Sequence, residues 1–367
     1  MSTTMSTKTQ PARYYTDPDW FERELGSIHY QMWLYAGRSE RIRAPGDYFL
    51  FELGRASVLI LRDQAGEIRA FHNVCRHRGT LLCTEAEGQL PGRIRCRYHA
   101  WTYRLDGTLS SAPHMDDLDG FALADYPLRE VASATWAGHI FVSLAEKPLP
   151  FADHLASLDV RFRNWNMENL RAACRRTYSL RANWKLIIQN YHECLHCPIA
   201  HPQLNRQSHY LSGENEPPQP TYLGARMALR DGVATLSTSD QPRRAPLAGL
   251  TADERRHVYY YAILPNFLLN LHPDYVVTFR LNPQAVDRTE IVCEWLFDRA
   301  QAARPDFDPS DAIEFWDTTN RQDWELSDLA QRGIGSLGYQ SGPYSNREGL
   351  LAALDRWVLA RVGGSAP

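Results

Sequence analysis

Two short stretches of the chain concentrate residues that bind metals. Cys75-Arg-His77 is followed, after 18 intervening residues, by Cys96-Arg-Tyr-His99. Two thiolates and two imidazoles in this C-x-H…C-x-x-H order suit a [2Fe–2S] cluster in which the cysteines hold one iron and the histidines the other. The split has a chemical consequence. Imidazole is neutral where thiolate is anionic, so the mixed cluster carries less negative charge and its reduction potential rises. The same ligand set would also serve a structural zinc ion, but the short C-x-H spacing and the run Tyr98-His99-Ala100-Trp101 argue against zinc. Gly79 and the turn around Gly92 suit tight ligand loops.

A second constellation follows: Asn190-Tyr-His192-Glu193-Cys194-Leu-His196-Cys197-Pro198-Ile-Ala-His201-Pro. Mononuclear non-haem Fe(II) sites take two histidines and one carboxylate on one face of the metal, leaving the opposite positions open. A helix limited by Pro198 would put His196 at its end and His201 just past the break. His192 is a rival, because it lies four residues before His196 and shares its helical face. Cys194 and Cys197 form a C-x-x-C that reads as small buried residues near the site, since a free thiol beside an oxidising iron is a liability.

These groups need a scaffold. Residues 17–35 read as helical, with Phe21, Leu25, Ile28 and Met32 spaced by three and four. From about Gly46 the period changes to that of strands, with short β-branched runs at 57–62 and 68–74 joined by a turn at 64–66. Leu105-Asp106-Gly107-Thr108 is a hairpin signal between 100–104 and 109–111, and 139–144 is a further apolar strand. The second half reads as strands at 178–181, 258–264, 275–281 and 289–297, a hairpin at Arg230-Asp231-Gly232, and helices over 183–196, 311–331 and 348–362. The fold class expected is α+β: a small all-β [2Fe–2S] domain and a larger catalytic domain with an antiparallel sheet flanked by helices. The expected partition is a disordered lead-in over 1–14, a helical segment over 15–44 packing with the catalytic domain, the cluster domain over 45–147 and the catalytic domain over 148–367.

Cys75-Arg-His77-Arg-Gly79 and Cys96-Arg-Tyr-His99-Ala-Trp101 resemble the Rieske loops of ring-hydroxylating oxygenase α subunits, and the resemblance extends from about residue 15 to 360. The segment 193–201 is similar to the family's E/D-x-x-H-x₄-H motif. The resemblance implies that Cys75, His77, Cys96 and His99 hold the Rieske [2Fe–2S] cluster and that His196 and His201 ligate Fe²⁺. It implies that Glu193 is the carboxylate that bridges the iron-ligand His196 to the Rieske histidine, His99, of a neighbouring subunit. Most members carry Asp there, and Glu marks the carnitine and glycine-betaine branch. Asn320-Arg-Gln322-Asp323, followed after seven residues by Gln331, resembles the late segment whose Asp completes the iron site, so Asp323 is the expected third ligand, with Asp317 and Glu325 as alternatives. Asn190 and Gln322 are available to orient the histidines.

The function so implied is O₂-dependent hydroxylation by the oxygenase component of a Rieske-type monooxygenase. The substrate expected is a betaine-like quaternary amine, N-demethylated with release of formaldehyde. Tyr and Phe residues over 258–275 would face the cation through their rings. Hydroxylation of an aromatic carboxylate is the enzymatic alternative, and a Rieske electron carrier without catalysis is the other. The chain has no Gly-rich dinucleotide fingerprint, so the resemblance implies a separate flavin and iron–sulfur reductase, and a homotrimer that brings the metals of neighbouring subunits together. Arg76, Arg78, Arg95, Arg97 and Arg104 surround the cluster ligands and would form a basic docking face for an acidic reductase.

Bulk properties agree. The 367 residues exceed one typical domain, and 40 Lys+Arg against 43 Asp+Glu leave a net charge of −3 that offers nothing to nucleic acid or an anionic membrane. No apolar run approaches the roughly 18–20 residues of a membrane span, and the expected compartment is the cytosol. The seven cysteines are an odd number in a long chain, which fits metal binding better than a disulfide scaffold.

Overall fold

The computed structural model describes residues 8–239 and 243–363. The chain divides into two compact units: Tyr35–Pro148, and a larger one made of Met1–Leu34 with Leu149–Pro367. The β unit starts ten residues earlier than position 45, because Trp33–Arg38 runs as a strand in a three-stranded sheet beside His139–Ser143 and Ala132–Trp136. The helix expected over 17–35 therefore ends early. It runs as an α-helix over Pro18–Glu24, capped by the Asp17 carboxylate, then as a π-turn over Leu25–His29.

The lead-in is ordered sooner than expected. Thr9 donates its backbone N–H to Gly342 at 2.8 Å, and Tyr14 and Tyr15 are buried in a short helix, Arg13–Thr16. Residues 1–7 of that expectation lie outside the described residues. The N-terminal segment is held by a buried charge. Glu24 is fully buried and accepts from Lys185 Nζ at 2.5 Å, Trp20 Nε1 at 2.7 Å and Trp184 Nε1 at 2.8 Å. Three donors on one carboxylate satisfy a charge that would otherwise be costly in the interior.

In the β unit, two further sheets carry the cluster loops. One has the order Ile68–His72, Ala56–Arg62, Asp47–Leu53, Glu87–Gln89, and the other is Arg93–Arg95, Thr102–Arg104, Leu109–Ser111. Gly107 turns the last hairpin at φ +87°, and a Cβ there would meet the Phe71 ring at 2.5 Å. Only glycine fits both demands.

The larger unit is built on a seven-stranded antiparallel sheet. Its order is Leu170–Leu180, Arg288–Asp298, Tyr275–Ala285, Phe267–Leu271, His257–Ile263, Tyr222–Ala228, Glu214–Asn215. Arg230-Asp231-Gly232 is a turn but not a hairpin, since the strand before it pairs with His257–Ile263, beyond a long connection. Helices Trp184–Tyr191, Ser310–Ile334 and Gly349–Val362 complete the unit. No helix among the described residues is long and apolar enough to cross a membrane.

Candidate metal centres and cavity

The two cluster loops are built alike. Cys75 N–H donates to Thr80 O at 2.8 Å and Gly79 N–H returns to Cys75 O at 3.1 Å. Cys96 N–H donates to Trp101 O at 2.9 Å and Ala100 N–H returns to Cys96 O at 3.1 Å. The fourth residue after each cysteine is left-handed, Gly79 at φ +73° and Ala100 at φ +59°. For an alanine that conformation is uncommon. Both thiols are buried, whereas the His77 and His99 rings meet edge to face at 4.6 Å in a more exposed position. Trp101 stacks on His77 at 4.9 Å. Tyr103, which sequence reasoning missed, places its hydroxyl 3.4 Å from Cys75 Sγ and accepts the Arg76 N–H at 3.1 Å. Burial pushes the Cys75 thiol up, partly offset by the Tyr103 hydroxyl. A hydrogen bond to a cluster sulfur stabilises its charge and so tunes the potential.

The second centre is assembled from three separate elements. The helix expected over 183–196 stops at Tyr191. Pro198 cannot sit inside a helix, where it lacks an N–H and would clash with the carbonyl one turn back. It opens a new short helix, Cys197–Ala200, for which His196 is the N-cap. His201 lies between that helix and the next, Pro202–Gln207. Asp323 comes from the long helix Ser310–Ile334.

Among the described residues, His196, His201 and Asp323 form the group of His, Cys and acidic side chains whose ligand atoms lie within 4.8 Å of one another. Asp323 Oδ1 is 2.8 Å from His201 Nε2 and 3.2 Å from His196 Nε2. The opposite ring nitrogens are already engaged. His196 Nδ1 lies 2.5 Å from Glu193 Oε1, and His201 Nδ1 lies 2.7 Å from Gln322 Oε1. Gln322 Oε1 also accepts from Gln203 Nε2 at 2.9 Å. Orientation of each ligand histidine through its far nitrogen is what a metal site requires. Burial opposes charge on His196, but Asp323 and Glu193 outweigh it and push the imidazole up to about 10. The same bonds hold the Asp323 carboxyl below its ordinary value despite burial. So much negative charge gathered on two imidazoles suits a divalent cation, and two nitrogens with one carboxylate oxygen are the donors of a non-haem Fe(II) site.

The alternative residues are placed differently. Asp317 is engaged by Arg176, by the Tyr178 hydroxyl at 2.6 Å and by Arg321 at 3.0 Å, and Glu325 is exposed. His192 stays outside the group of three. Cys194 and Cys197 are not separate buried thiols: they are joined in a disulfide. A Cα separation of 5.0 Å puts them within bridging reach.

A cavity of about 380 Å³ adjoins His196, His201 and Asp323. Tyr191, Tyr210, Tyr260, Phe279, Trp316 and Trp324 line it. Trp316, Thr319, Asn320, Asp323 and Trp324 reach it from one stripe of the long helix, at spacings of three and four. Asn190, expected beside the histidines, lines it too.

The domain and the site define a Rieske non-haem iron oxygenase. Residues 32–127 match the Rieske [2Fe–2S] domain, and residues 167–364 match the ring-hydroxylating α subunit (catalytic domain). The chain is 33% identical to the glycine betaine monooxygenase oxygenase subunit of Chromohalobacter salexigens, over 97% of this chain and 87% of that protein. It is 26% identical to the chloroplastic choline monooxygenase of Arabidopsis thaliana, over 92% of this chain and 79% of that protein. Its fold is shared with the quaternary ammonium Rieske monooxygenase CntA solved with its substrate L-carnitine. There the TM-score is 0.79 at 23% identity, covering 97% of this chain and 96% of that one. The chain belongs to the ring-hydroxylating oxygenase α-subunit family, with a Rieske [2Fe–2S] cluster and a mononuclear non-haem iron as cofactors and O₂ as co-substrate.

Proposed function

We propose that this chain is the oxygenase component of a monooxygenase that removes an N-methyl group from a betaine-like quaternary amine. The observation that carries the reading is the aromatic cavity beside His196, His201 and Asp323. A quaternary ammonium cannot donate a hydrogen bond, and aromatic faces within about 6 Å are what attract it. Tyr260 packs edge to face on Trp316 and Phe279 on Trp324, with ring centroids 6.3 and 6.5 Å apart, and all four residues line the cavity. The names of the relatives point to the same class.

The reaction balances as R–N⁺(CH₃)₃ + O₂ + 2e⁻ + 2H⁺ giving R–N⁺(CH₃)₂CH₂OH and water. The hydroxymethyl product then collapses to formaldehyde and the protonated dimethylamine. When bound, the cluster supplies the electrons one at a time, and the iron activates O₂. His196, His201 and Asp323 hold that iron, while Glu193 and Gln322 orient the two imidazoles. The aromatic rings hold the methyl group toward the ligands and exclude water. Glu193 is the electron bridge between His196 and His99 of a neighbouring subunit in a homotrimer, and a separate flavin and iron–sulfur reductase feeds the cluster.

The experiment is a single turnover of the reduced protein with O₂ and a panel of betaines, carnitine and benzoates. Formaldehyde with a betaine, absent in Asp323→Ala that keeps its red-brown cluster but loses one of three irons per chain, supports the reading. A hydroxylated ring without formaldehyde overturns the substrate class.

A further inference from the structure

His196 and His201 are oriented by unlike partners. His196 faces the Glu193 carboxylate, whose two oxygens both accept. His201 faces the side-chain amide of Gln322, with 2.7 Å between Nδ1 and Oε1. An amide carries an acceptor on one side and a donor on the other, in nearly the same shape. Turned over, Gln322 would present its NH₂ and oblige His201 to accept at Nδ1. The ring proton would then sit on Nε2, the nitrogen that lies 2.8 Å from Asp323 Oδ1. A nitrogen that carries its proton cannot ligate a metal. Some group outside Gln322 must therefore decide which end of the amide meets the imidazole.

The hydrogen bonds around Gln322 make that decision. The buried Thr319 hydroxyl donates its one proton to Phe315 O, a turn earlier in the helix, at 2.9 Å. Its oxygen is left as an acceptor toward Gln203, 3.4 Å away. Gln203 must turn its NH₂ to that oxygen, and the same Nε2 lies 2.9 Å from Gln322 Oε1. Gln322 is thereby held with its oxygen toward both neighbours. His201 Nδ1 must then be the donor, and Nε2 keeps its lone pair toward Asp323. Donor and acceptor alternate without a break from the Phe315 carbonyl to the imidazole. Thr319 and Gln322 lie about one turn apart on the helix Ser310–Ile334, and Gln203 stands on the helix Pro202–Gln207.

We propose that Thr319 and Gln203 are positioning residues that lock the Gln322 amide in one orientation and so fix the tautomer in which His201 binds iron. The inference rests on the reading of His201 as an iron ligand and adds what prepares it. The relay supplies orientation without charge. Asp323 and Glu193 already bring two carboxylates to the imidazoles, and the neutral amide adds no third.

The test makes one chemical change at two positions of the relay. Gln203→Glu and Gln322→Glu each exchange an NH₂ for an oxygen at nearly constant shape. At 322 the new carboxylate still accepts from His201 and Gln203, so the tautomer survives. At 203 it turns an acceptor toward Gln322 Oε1 and drives that amide over. Holoenzyme carrying cluster and mononuclear iron is titrated with a ferrous chelator, and the cluster's visible absorbance reports that the protein stays folded. Gln203→Glu should hold the mononuclear iron about ten- to a hundredfold more weakly than wild type. Gln322→Glu should hold it at least as well as wild type. Gln203→Met, which offers neither donor nor acceptor, should fall between wild type and Gln203→Glu. Charge alone would make both Glu variants hold the cation more tightly. Packing alone would make Gln203→Met the worse variant at its position. Either pattern overturns the relay. If Gln203→Glu fails to fold, undiminished iron in Gln203→Met or weakened iron in Gln322→Glu overturns it as well. Iron held equally by wild type and His201→Ala removes His201 from the metal, and the relay with it.

Discussion

Glu193 Oε1 lies 2.5 Å from Nδ1 of His196, while its other oxygen accepts the Leu195 backbone N–H at 2.5 Å. The carboxylate is thus pinned by its own loop and reaches His196, a proposed iron ligand, through one atom. Glu193→Gln keeps the shape but removes the charge that orients and polarises the imidazole. We expect cluster and iron to remain near full occupancy. We expect the rate of electron passage from the reduced cluster to fall by ten- to a hundredfold, the usual scale for losing such a partner. Rapid-mixing oxidation of the reduced protein, followed at the cluster's visible absorbance, is the measurement. An unchanged rate would deny Glu193 the bridging role.

Arg76, Arg78, Arg95, Arg97 and Arg104 are all exposed around the cluster ligands. An acidic reductase steered to such a face loses rate as salt screens the charges. Turnover with limiting reductase should fall several-fold between about 0.05 and about 0.5 M salt. A double Arg95→Glu, Arg97→Glu variant should be slow at every salt concentration, with its single-turnover yield from chemical reductant intact. Insensitivity of the wild-type rate to salt would exclude docking by charge.

Stability should fall on the acid side. Burial pushes His29 and His154 down to about 4 and His192 to about 3, and it holds His139 and His272 well below 6.5. The unfolded chain binds protons on these five groups that the fold refuses, so stability is lost as pH drops from about 6.5 toward 4. Asp274 and Asp355 act the other way: burial raises both to about 6, so their contribution grows as pH falls from about 6 to 4. Five groups outweigh two. At full effect, holding one histidine at about 4 instead of about 6.5 is worth roughly 3 kcal/mol. Thermal midpoints measured from about pH 8 down to about pH 5 should decline steadily below about 6.5. A flat or rising profile would contradict the balance.

Residue type and spacing alone brought out the candidate cluster residues, while the resemblance chose His196, His201 and Asp323 among the alternatives for the iron. Cys75, His77, Cys96 and His99 lie close in sequence, and loop chemistry brings each pair together with little help from the rest of the chain. The same holds for the segment from Glu193 to His201. The strand pattern of the β unit and the long helix bearing Asp323 were legible for a related reason: period and turn residues are local signals. What lay beyond reach were relationships set by distant parts of the fold. The early strand at Trp33 and the ordered stretch from Lys8 depend on partners far along the chain. The bond of Tyr103 to Cys75 and the clamp of Gln322 and Asp323 on His201 do as well. Tyr260 falls in the aromatic stretch expected to face the cation, but nothing in the sequence sets Asn270 apart. Tyr260 and Asn270 line one cavity with His192 and Trp324 only when the sheet and the long helix pack, because residues far apart in the chain share a cavity only through tertiary structure.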